Sequence, residues 1–412
     1  MKKILLSALS MLAAVACTSS KSALLADGAQ PLSVRMVESE IQRNPSPTNL
    51  DGIPEGKVKW NYTTGLELQA MLDAARLYER EDFDHYVARY YDTMVRPDGS
   101  ILTYKRTNFN LDHICPGRPL FTIYDRTGEE RYRMALDTLH SQMEGQPRTA
   151  EGGYWHKKVY PHQMWLDGLY MAEPFHSEFV KRYIAPQNPE LAAEIERDIV
   201  NQFLLAARYT YDAKTELFRH AWDSSKEMFW CDKETGQSAH AWGRAVGWYV
   251  VALVETLDYL SPEAEGREGM IEILNHLYKV LPRYASPESG MWYQVLDCPE
   301  REGNYQESTC SIMFIYAQLK AVRKGYLPAE MEAEALKRYE QFVERFIREN
   351  EDGTISMTDC CAVGGLGGKQ MRDGSFEYYL SEPIIENDCK GVGPFIWASL
   401  EYEYAQGRLA EI

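Results

Sequence analysis

The stretch Glu332–Asn350, E-A-E-A-L-K-R-Y-E-Q-F-V-E-R-F-I-R-E-N, places apolar side chains on one face of a predicted helix and many charges on the other. A helix of this kind lies on the outside of a protein with its apolar face turned inward. The segment 391–406 differs, because it is rich in Gly, Ala and aromatic residues and is apolar on most faces. That composition is typical of a fully buried helix.

The two kinds of helix alternate along most of the chain. We predict helices over 32–44, 65–80, 82–95, 111–127, 129–143, 164–183, 188–211, 239–260, 264–285, 304–325, 328–349 and 391–406. The buried kind starts near residues 65, 111, 164, 239, 304 and 391. Six inner and six outer helices predict an all-α (α/α)6 barrel, and the uneven spacing favours a closed ring over an array of identical repeats.

The connections into the inner helices resemble one another. Each has a turn followed by aromatic or β-branched residues: R-P-D-G-S-I-L-T-Y (96–104), E-G-G-Y-W-H-K-K (151–158), T-E-L-F-R-H-A-W-D (215–223), E-S-G-M-W-Y-Q-V (288–295) and E-D-G-T-I-S-M (351–357). In a barrel they lie at one end and form a funnel above the helix N-termini, which favours an anionic ligand.

The stretch 148–177 contains the strongest catalytic candidate. Gly152, Gly153 and Pro161 keep its first half from being a helix, and Asp167 then falls near the start of the next one. A carboxyl group among aromatic and leucine side chains is poorly solvated, which favours its proton-donating form. We therefore predict that Asp167 is a general acid.

Other polar and aromatic residues fall in the same predicted funnel. They are Asp112, His162, His220, Trp242, Arg244 and Trp248. Three of them have a structural alternative: Asp112 as a first-turn helix acid, His220 as a satisfied loop histidine, and Arg244 as a cation stacked between indoles. An arginine in an aromatic funnel is also what a carboxylate ligand requires.

Composition narrows the class of ligand. The 412 residues carry a formal net charge of −17, which argues against a nucleic acid or an anionic membrane surface as partner. Nine Trp and 27 Tyr favour flat ligands such as sugar rings. We find no metal-binding or dinucleotide motif and expect no metal and no cofactor; the run G-G-L-G-G-K at 364–369 is interpreted as a flexible loop.

The N-terminus has the pattern of an export signal. Residues 1–16 have a basic start, a short apolar middle and a small-residue end, and Ala14-Val15-Ala16-Cys17 resembles a bacterial lipobox. We predict a lipoprotein signal over 1–17, lipidation of Cys17, a flexible tether over 18–31 and a single catalytic domain over 32–412. The predicted location is the periplasmic face of a membrane, with contact to that membrane only through the lipid.

Six motifs together resemble one known family. They are W-H-K-K-V-Y-P-H-Q-M-W-L-D-G-L-Y-M-A-E-P-F (155–175), H-A-W-D (220–223), A-W-G-R-A-V-G-W (241–248), G-M-W-Y-Q-V-L-D (290–297), N-Y-Q-E-S-T-C-S-I-M-F-I-Y (304–316) and Y-Y-L-S-E-P-I-I-E-N-D-C-K-G-V-G-P-F (378–395). In this order they resemble glycoside hydrolase family 105, the unsaturated rhamnogalacturonyl hydrolases. The resemblance implies an (α/α)6 barrel, no metal, and a substrate carrying a 4,5-unsaturated uronyl sugar at its non-reducing end.

The resemblance also implies roles for the candidate residues. Asp167 would protonate C4 of the vinyl ether and then assist the water that attacks C5, while Asp112, His162, His220, Trp242, Arg244 and Trp248 would bind the uronate. Ala245-Val246 departs from the pattern of relatives and is expected to reshape the pocket. Three alternatives remain: a hydrolase of unsaturated glucuronyl products, a non-catalytic sugar-binding lipoprotein, and a hydrolase of ordinary glycosides that uses Asp112 with Asp167.

Overall fold

A computed structural model describes residues 22–26 and 28–410 of the chain. The predicted signal segment 1–17 and its Cys17 lie outside these residues. Within the predicted tether, Ser22–Leu25 forms a 3-10 turn, and Leu24 is packed against the hydrophobic core. In the described part of the chain, no helix combines the length and apolar character needed to cross a bilayer.

The helices are, in chain order, α1 (Leu32–Arg43), α2 (Tyr62–Leu77), α3 (Glu81–Met94), α4 (Pro119–Thr127), α5 (Glu130–Glu144), α6 (Leu166–Phe179), α7 (Pro189–Thr210), α8 (Gly243–Leu257), α9 (Arg267–Val280), α10 (Ser308–Arg323), α11 (Glu332–Phe346), α12 (Phe376–Ser381) and α13 (Cys389–Ala405). Apart from the short α12, these match the twelve predicted helices within a few residues at most ends.

The helices form two concentric layers. In the inner ring α2, α6, α8, α10 and α13 follow one another around the barrel, and the segment that leads into α4 closes the ring between α2 and α6. Every residue of α6 and α8 is buried, whereas the outer α11 buries one stripe of its surface, which is apolar except for Arg338. The predicted (α/α)6 barrel is confirmed, because helices that are apolar all round can lie only in the inner layer.

The inner segment before α4 differs from its prediction. A continuous helix was expected over 111–127, but 3-10 turns at Leu111–His113 and Cys115–Gly117 precede α4. Pro116 and Pro119 lack the N–H groups that a longer α-helix would need. The turn packs so tightly that a Cβ on Gly65 of α2 would lie 2.4 Å from the Cα of Pro116.

Short two-stranded ladders lie in the loops. They are β1 (Gln163–Trp165) with β4 (Ala221–Asp223), β2 (Tyr211–Asp212) with β3 (Leu217–Phe218), β5 (Ile347–Glu349) with β6 (Ile355–Met357), and β7 (Cys360–Cys361) with β8 (Ile384–Ile385), all antiparallel. The pairing of β1 with β4 joins the loop before α6 to the loop before α8. This ladder positions the candidate site.

Candidate active site

Asp167 occupies the first turn of α6, directly after β1. The register pairs Trp165 with Ala221, and the N–H of Leu166 donates to the carbonyl of His220 at 3.1 Å. As a result, the Oδ2 of Asp167 lies 3.1 Å from the Nε2 of His220. The two atoms are close but not aligned as a hydrogen bond, so Oδ2 is buried without a hydrogen-bond partner. An unsatisfied carboxyl oxygen of this kind is available to a ligand.

His220 is held from behind by Tyr379. The Nδ1 of His220 lies 2.8 Å from the Oη of Tyr379, and both side chains are fully buried. Burial raises the pKa of Tyr379 well above its ordinary value, so the phenol keeps its proton. A neutral phenol that donates to Nδ1 leaves the ring proton on Nε2, the nitrogen that faces Asp167.

Aromatic rings enclose this acid. Trp165 stacks on His156 at 4.7 Å and on Tyr160 at 5.2 Å between ring centroids, with interplanar angles of 7° and 8°. On the other side of His220, the ring of Trp242 lies 4.8 Å away. Aromatic faces exclude water and are the surfaces on which sugar rings pack.

Asp112 is held by Lys157 and His156, two neighbouring residues of the loop 155–165. Its Oδ2 lies 2.5 Å from the Nζ of Lys157 and its Oδ1 lies 3.3 Å from the Nε2 of His156. Burial would raise the pKa of Asp112, but Lys157 and His156 outweigh it and hold that pKa well below its usual range. Burial by itself would lower the pKa of Lys157. The Asp112 carboxylate outweighs burial and raises that pKa, and the charge of Asp167 adds to the increase. Asp112 is thus a fixed carboxylate, whereas Asp167 has no cation bonded to it.

Arg244 and Trp248 are buried more deeply than expected. The Nη2 of Arg244 donates to Glu307 at 3.0 Å and to the carbonyl of Cys361, and its side chain is 1% exposed. Its Nε and Nη1 are buried without a hydrogen-bond partner. Trp248 is packed in the core, where it stacks on Tyr170 at 4.7 Å.

His162 lies apart from the carboxyl groups. It has a left-handed backbone with a φ of 65°, is exposed, and its ring lies 4.8 Å from that of Trp155. The histidine that contacts Asp112 is instead His156, which was not among the predicted site residues. The structure therefore brings Asp112, Asp167, His220 and Trp242 into one cluster through His156 and Lys157.

Only weak patterns in the sequence pointed to three further site residues, which are His156, Lys157 and Tyr379. The motif W-H-K-K belongs to a loop class predicted to line the funnel, which pointed to the loop but not to its individual side chains. Tyr379 lies far along the chain in α12, a helix that was not predicted. In the described part of the chain, the one three-residue group with metal-ligand spacing is His240, Asp297 and Cys298, and it includes none of these residues.

Known proteins resemble this chain over most of its length. The family model described as Glycosyl Hydrolase Family 88 matches residues 32–406. The solved structure of a family 105 glycoside hydrolase from C. acetobutylicum ATCC 824 is 41% identical, with a TM-score of 0.85, and the match covers 91% of this chain and 100% of that one.

Two further known proteins match this chain over a shorter length or at a lower identity. Protein Atu3128 of Agrobacterium fabrum is 36% identical over 214 residues, which is 50% of this chain and 91% of that protein. An unsaturated glucuronyl hydrolase from Bacillus sp. GL1 is 12% identical with a TM-score of 0.59, over 92% of this chain and 96% of that one, a likeness that shows the fold alone. The full-length matches show that this chain is a glycoside hydrolase of family 88, and the resemblance to family 105 that its motifs carry is confirmed.

Proposed function

We propose that the protein removes a 4,5-unsaturated uronyl residue, of the galacturonyl type, from the non-reducing end of oligosaccharides produced by polysaccharide lyases. The observation that carries the proposal is the contrast between the two acids of the site. Asp112 forms an ion pair with Lys157 and contacts His156, whereas Asp167 has a buried oxygen without a hydrogen-bond partner. One free carboxyl group is sufficient for hydration of a vinyl ether.

The proposed reaction uses this carboxyl group twice. Asp167 in its protonated form donates the proton to C4, and the positive charge that develops at C5 is shared with the ring oxygen. Water then adds to C5 and gives its proton to the Asp167 carboxylate, which restores the acid. The resulting hemiketal opens, and the neighbouring sugar leaves.

The other side chains have supporting roles in this proposal. The Nε2 of His220 lies 3.1 Å from the Oδ2 of Asp167, so this histidine holds the carboxyl group in place at the start of α6. Trp165 and Trp242 both contact the ring of His220, so they border the space beside this pair. An ordinary two-carboxylate hydrolysis receives no such support, because both oxygens of Asp112 are engaged by Lys157 and His156.

The test is turnover of a panel of lyase products. Unsaturated oligosaccharides from pectin, ulvan and glycosaminoglycans are supplied in parallel, and loss of the ultraviolet absorbance of the double bond is recorded. We expect the fastest loss with pectin-derived galacturonyl products. A faster reaction with a glucuronyl product would move the assignment to the unsaturated glucuronyl hydrolases, the activity named for the relative from Bacillus sp. GL1.

Saturated analogues of the same oligosaccharides are the control. They lack the double bond that Asp167 is proposed to protonate, so no sugar should be released from them. Release at comparable rates from saturated and unsaturated substrates would contradict the mechanism, and tight binding without turnover would favour the sugar-binding alternative.

We also propose that Cys17 is lipidated, which mass measurement of the mature protein would test.

A further inference from the structure

Three side chains with metal-ligand atoms meet at the connection before α8. The Nδ1 of His240 lies 3.0 Å from the Oδ2 of Asp297 and 3.7 Å from the Sγ of Cys298. The three ligand atoms all lie within 4.8 Å of one another, and each residue is partly exposed. The group is separate from Asp167, although the carbonyl of His240 accepts the N–H of His220 at 3.2 Å.

The spacing agrees with tetrahedral zinc coordination. Zinc lies about 2.3 Å from sulfur and about 2.0 to 2.1 Å from nitrogen or oxygen, so tetrahedral angles place an S/N ligand pair about 3.6 Å apart and an N/O pair about 3.3 Å apart. The observed 3.7 Å and 3.0 Å fall close to these values. Two of the three ligand pairs are therefore already spaced for a shared ion.

The carboxylate of Asp297 is oriented as a metal-binding carboxylate usually is. Its Oδ1 accepts the N–H of Ala241 at 3.1 Å, and its Oδ2 accepts from Arg219 at 2.7 Å. Donors of this kind fix the direction of a ligating group. Arg219 also pairs with Asp212 at 2.8 Å, so its positive charge is shared with a second carboxylate.

The local charge balance favours a divalent cation. Asp212, Asp297 and Arg219 together carry one net negative charge, and the thiolate form of Cys298 would add a second. A cation with two positive charges neutralises this set. The combination of thiolate, imidazole and carboxylate suits zinc more than magnesium or calcium, which prefer oxygen ligands alone.

A catalytic role for the same three side chains does not fit the geometry. In a Cys-His-Asp triad, the acid and the nucleophile contact opposite nitrogens of the imidazole ring. Here both Asp297 and Cys298 approach the same nitrogen, Nδ1 of His240. A single nitrogen cannot both be oriented by the acid and accept the proton of the thiol.

We propose that His240, Asp297 and Cys298 form a binding site for a zinc-class divalent cation, with water as the fourth ligand. The ion joins the connection before α8 to the turn at 295–298. Because the carbonyl of His240 supports the backbone of His220, the bound ion also stiffens the loop that carries this histidine. Binding to the native state alone raises stability with increasing concentration of free metal.

The experiment uses Co²⁺ as a spectroscopic substitute for Zn²⁺ with the whole protein, stripped of metal and reduced. We expect one equivalent to produce a near-ultraviolet thiolate-to-cobalt charge-transfer band that Zn²⁺ displaces. The substitution Cys298→Ser should abolish the band, whereas Cys231→Ser, at a buried thiol elsewhere in the loops, should preserve it. Absence of the band in the wild type, or its persistence in Cys298→Ser, would overturn the proposal.

A second variant covers the case in which Cys298→Ser does not fold. His240→Gln retains the thiol and should weaken Zn²⁺ binding more than tenfold in competition with a chromophoric chelator. Zinc should also raise the thermal midpoint of the wild type and leave that of His240→Gln unchanged at the same concentration. Equal zinc affinity in the two proteins would contradict the assignment, whatever the charge-transfer result.

Discussion

The Nε2 of His220 lies 3.1 Å from the Oδ2 of Asp167, although 53 positions separate the two residues along the chain. The antiparallel pairing of β1 with β4 creates this contact, because it sets the residue before Ala221 beside the start of α6. The pair is buried, and its acid has an oxygen without a hydrogen-bond partner.

Asp167→Asn should lower kcat on an unsaturated uronyl substrate by about 10² to 10⁴, because the amide cannot donate the proton to C4. KM should change much less, since the substitution preserves the shape of the side chain. The initial loss of double-bond absorbance gives both constants. Asp137→Asn, at an exposed acid on α5 that pairs with Arg133, is the matched control and should retain wild-type rates. Wild-type kcat in Asp167→Asn would eliminate this residue as the acid.

Tyr379→Phe should reduce kcat about five- to tenfold, because it removes the hydroxyl that orients His220. The loss of one buried hydrogen bond should also lower the free energy of unfolding by about 1 kcal/mol. Tyr339→Phe separates the two effects, since the hydroxyl of Tyr339 bonds the buried Ser399 in another part of the barrel. It should show a similar loss of stability in urea unfolding with unchanged kcat. An equal loss of activity in both variants would indicate a general structural effect.

Lys157→Met should destabilise the protein by on the order of 2 kcal/mol at neutral pH, because it leaves the Asp112 carboxylate with only His156. The native pKa of Asp112 is lowered, so the stabilisation is fully present above the unfolded-state value near 4 and is lost as the pH falls below it. The difference in unfolding free energy should thus be largest above about pH 5 and should shrink toward pH 3. Lys158→Met changes the neighbouring exposed lysine and should have little effect at any pH. A pH-independent difference for Lys157→Met would contradict the assigned pairing.

Gly364→Ala should raise KM, because its Cβ would lie 2.3 Å from the Cζ2 of Trp242 and would push the indole away from its place beside His220. Gly365→Ala is the control next to it, since its closest contact is the end of the flexible Arg372 side chain at 3.1 Å. Steady-state kinetics of the two variants should differ clearly in KM. Identical KM values would mean that the position of Trp242 does not affect substrate binding.

Glu403→Gln should make stability less dependent on pH. Burial raises the pKa of Glu403 to about 7, so the native state holds a proton that the unfolded chain releases near 4.5. Wild-type stability should therefore fall as the pH rises from about 4.5 to 7, by up to about 3 kcal/mol, and the variant should lack this decline. Glu340 lies at an exposed position, and Glu340→Gln keeps the oxygen that accepts from the hydroxyl of Tyr402. This control should retain the wild-type profile in urea unfolding between pH 4 and pH 8. A decline of the same size in Glu403→Gln would show that other groups cause the pH dependence.

The barrel could be predicted from local patterns because its two layers differ in composition. A segment such as Glu332–Asn350 can bury only one face, whereas α8 is apolar all round, and their alternation leaves few other arrangements. The position of Asp167 at the start of an inner helix followed from the same reasoning. The break before α4 was missed, because tight packing and two prolines compete there with the helical pattern. The short α12 was missed because a helix of six residues is too short for the period of a helix to show in the sequence.

The residues by themselves determined the barrel and placed the candidate acid Asp167 at the start of an inner helix. Only the tertiary structure decided which side chains surround that acid. His156 and His162 lie in the same loop, and their spacing does not distinguish them, but a left-handed turn directs one outward while stacking on Trp165 holds the other beside Asp112. Tyr379 reaches His220 from 159 residues away. Helical periodicity is a local property of the chain, whereas contacts between loops depend on how distant segments pair and pack.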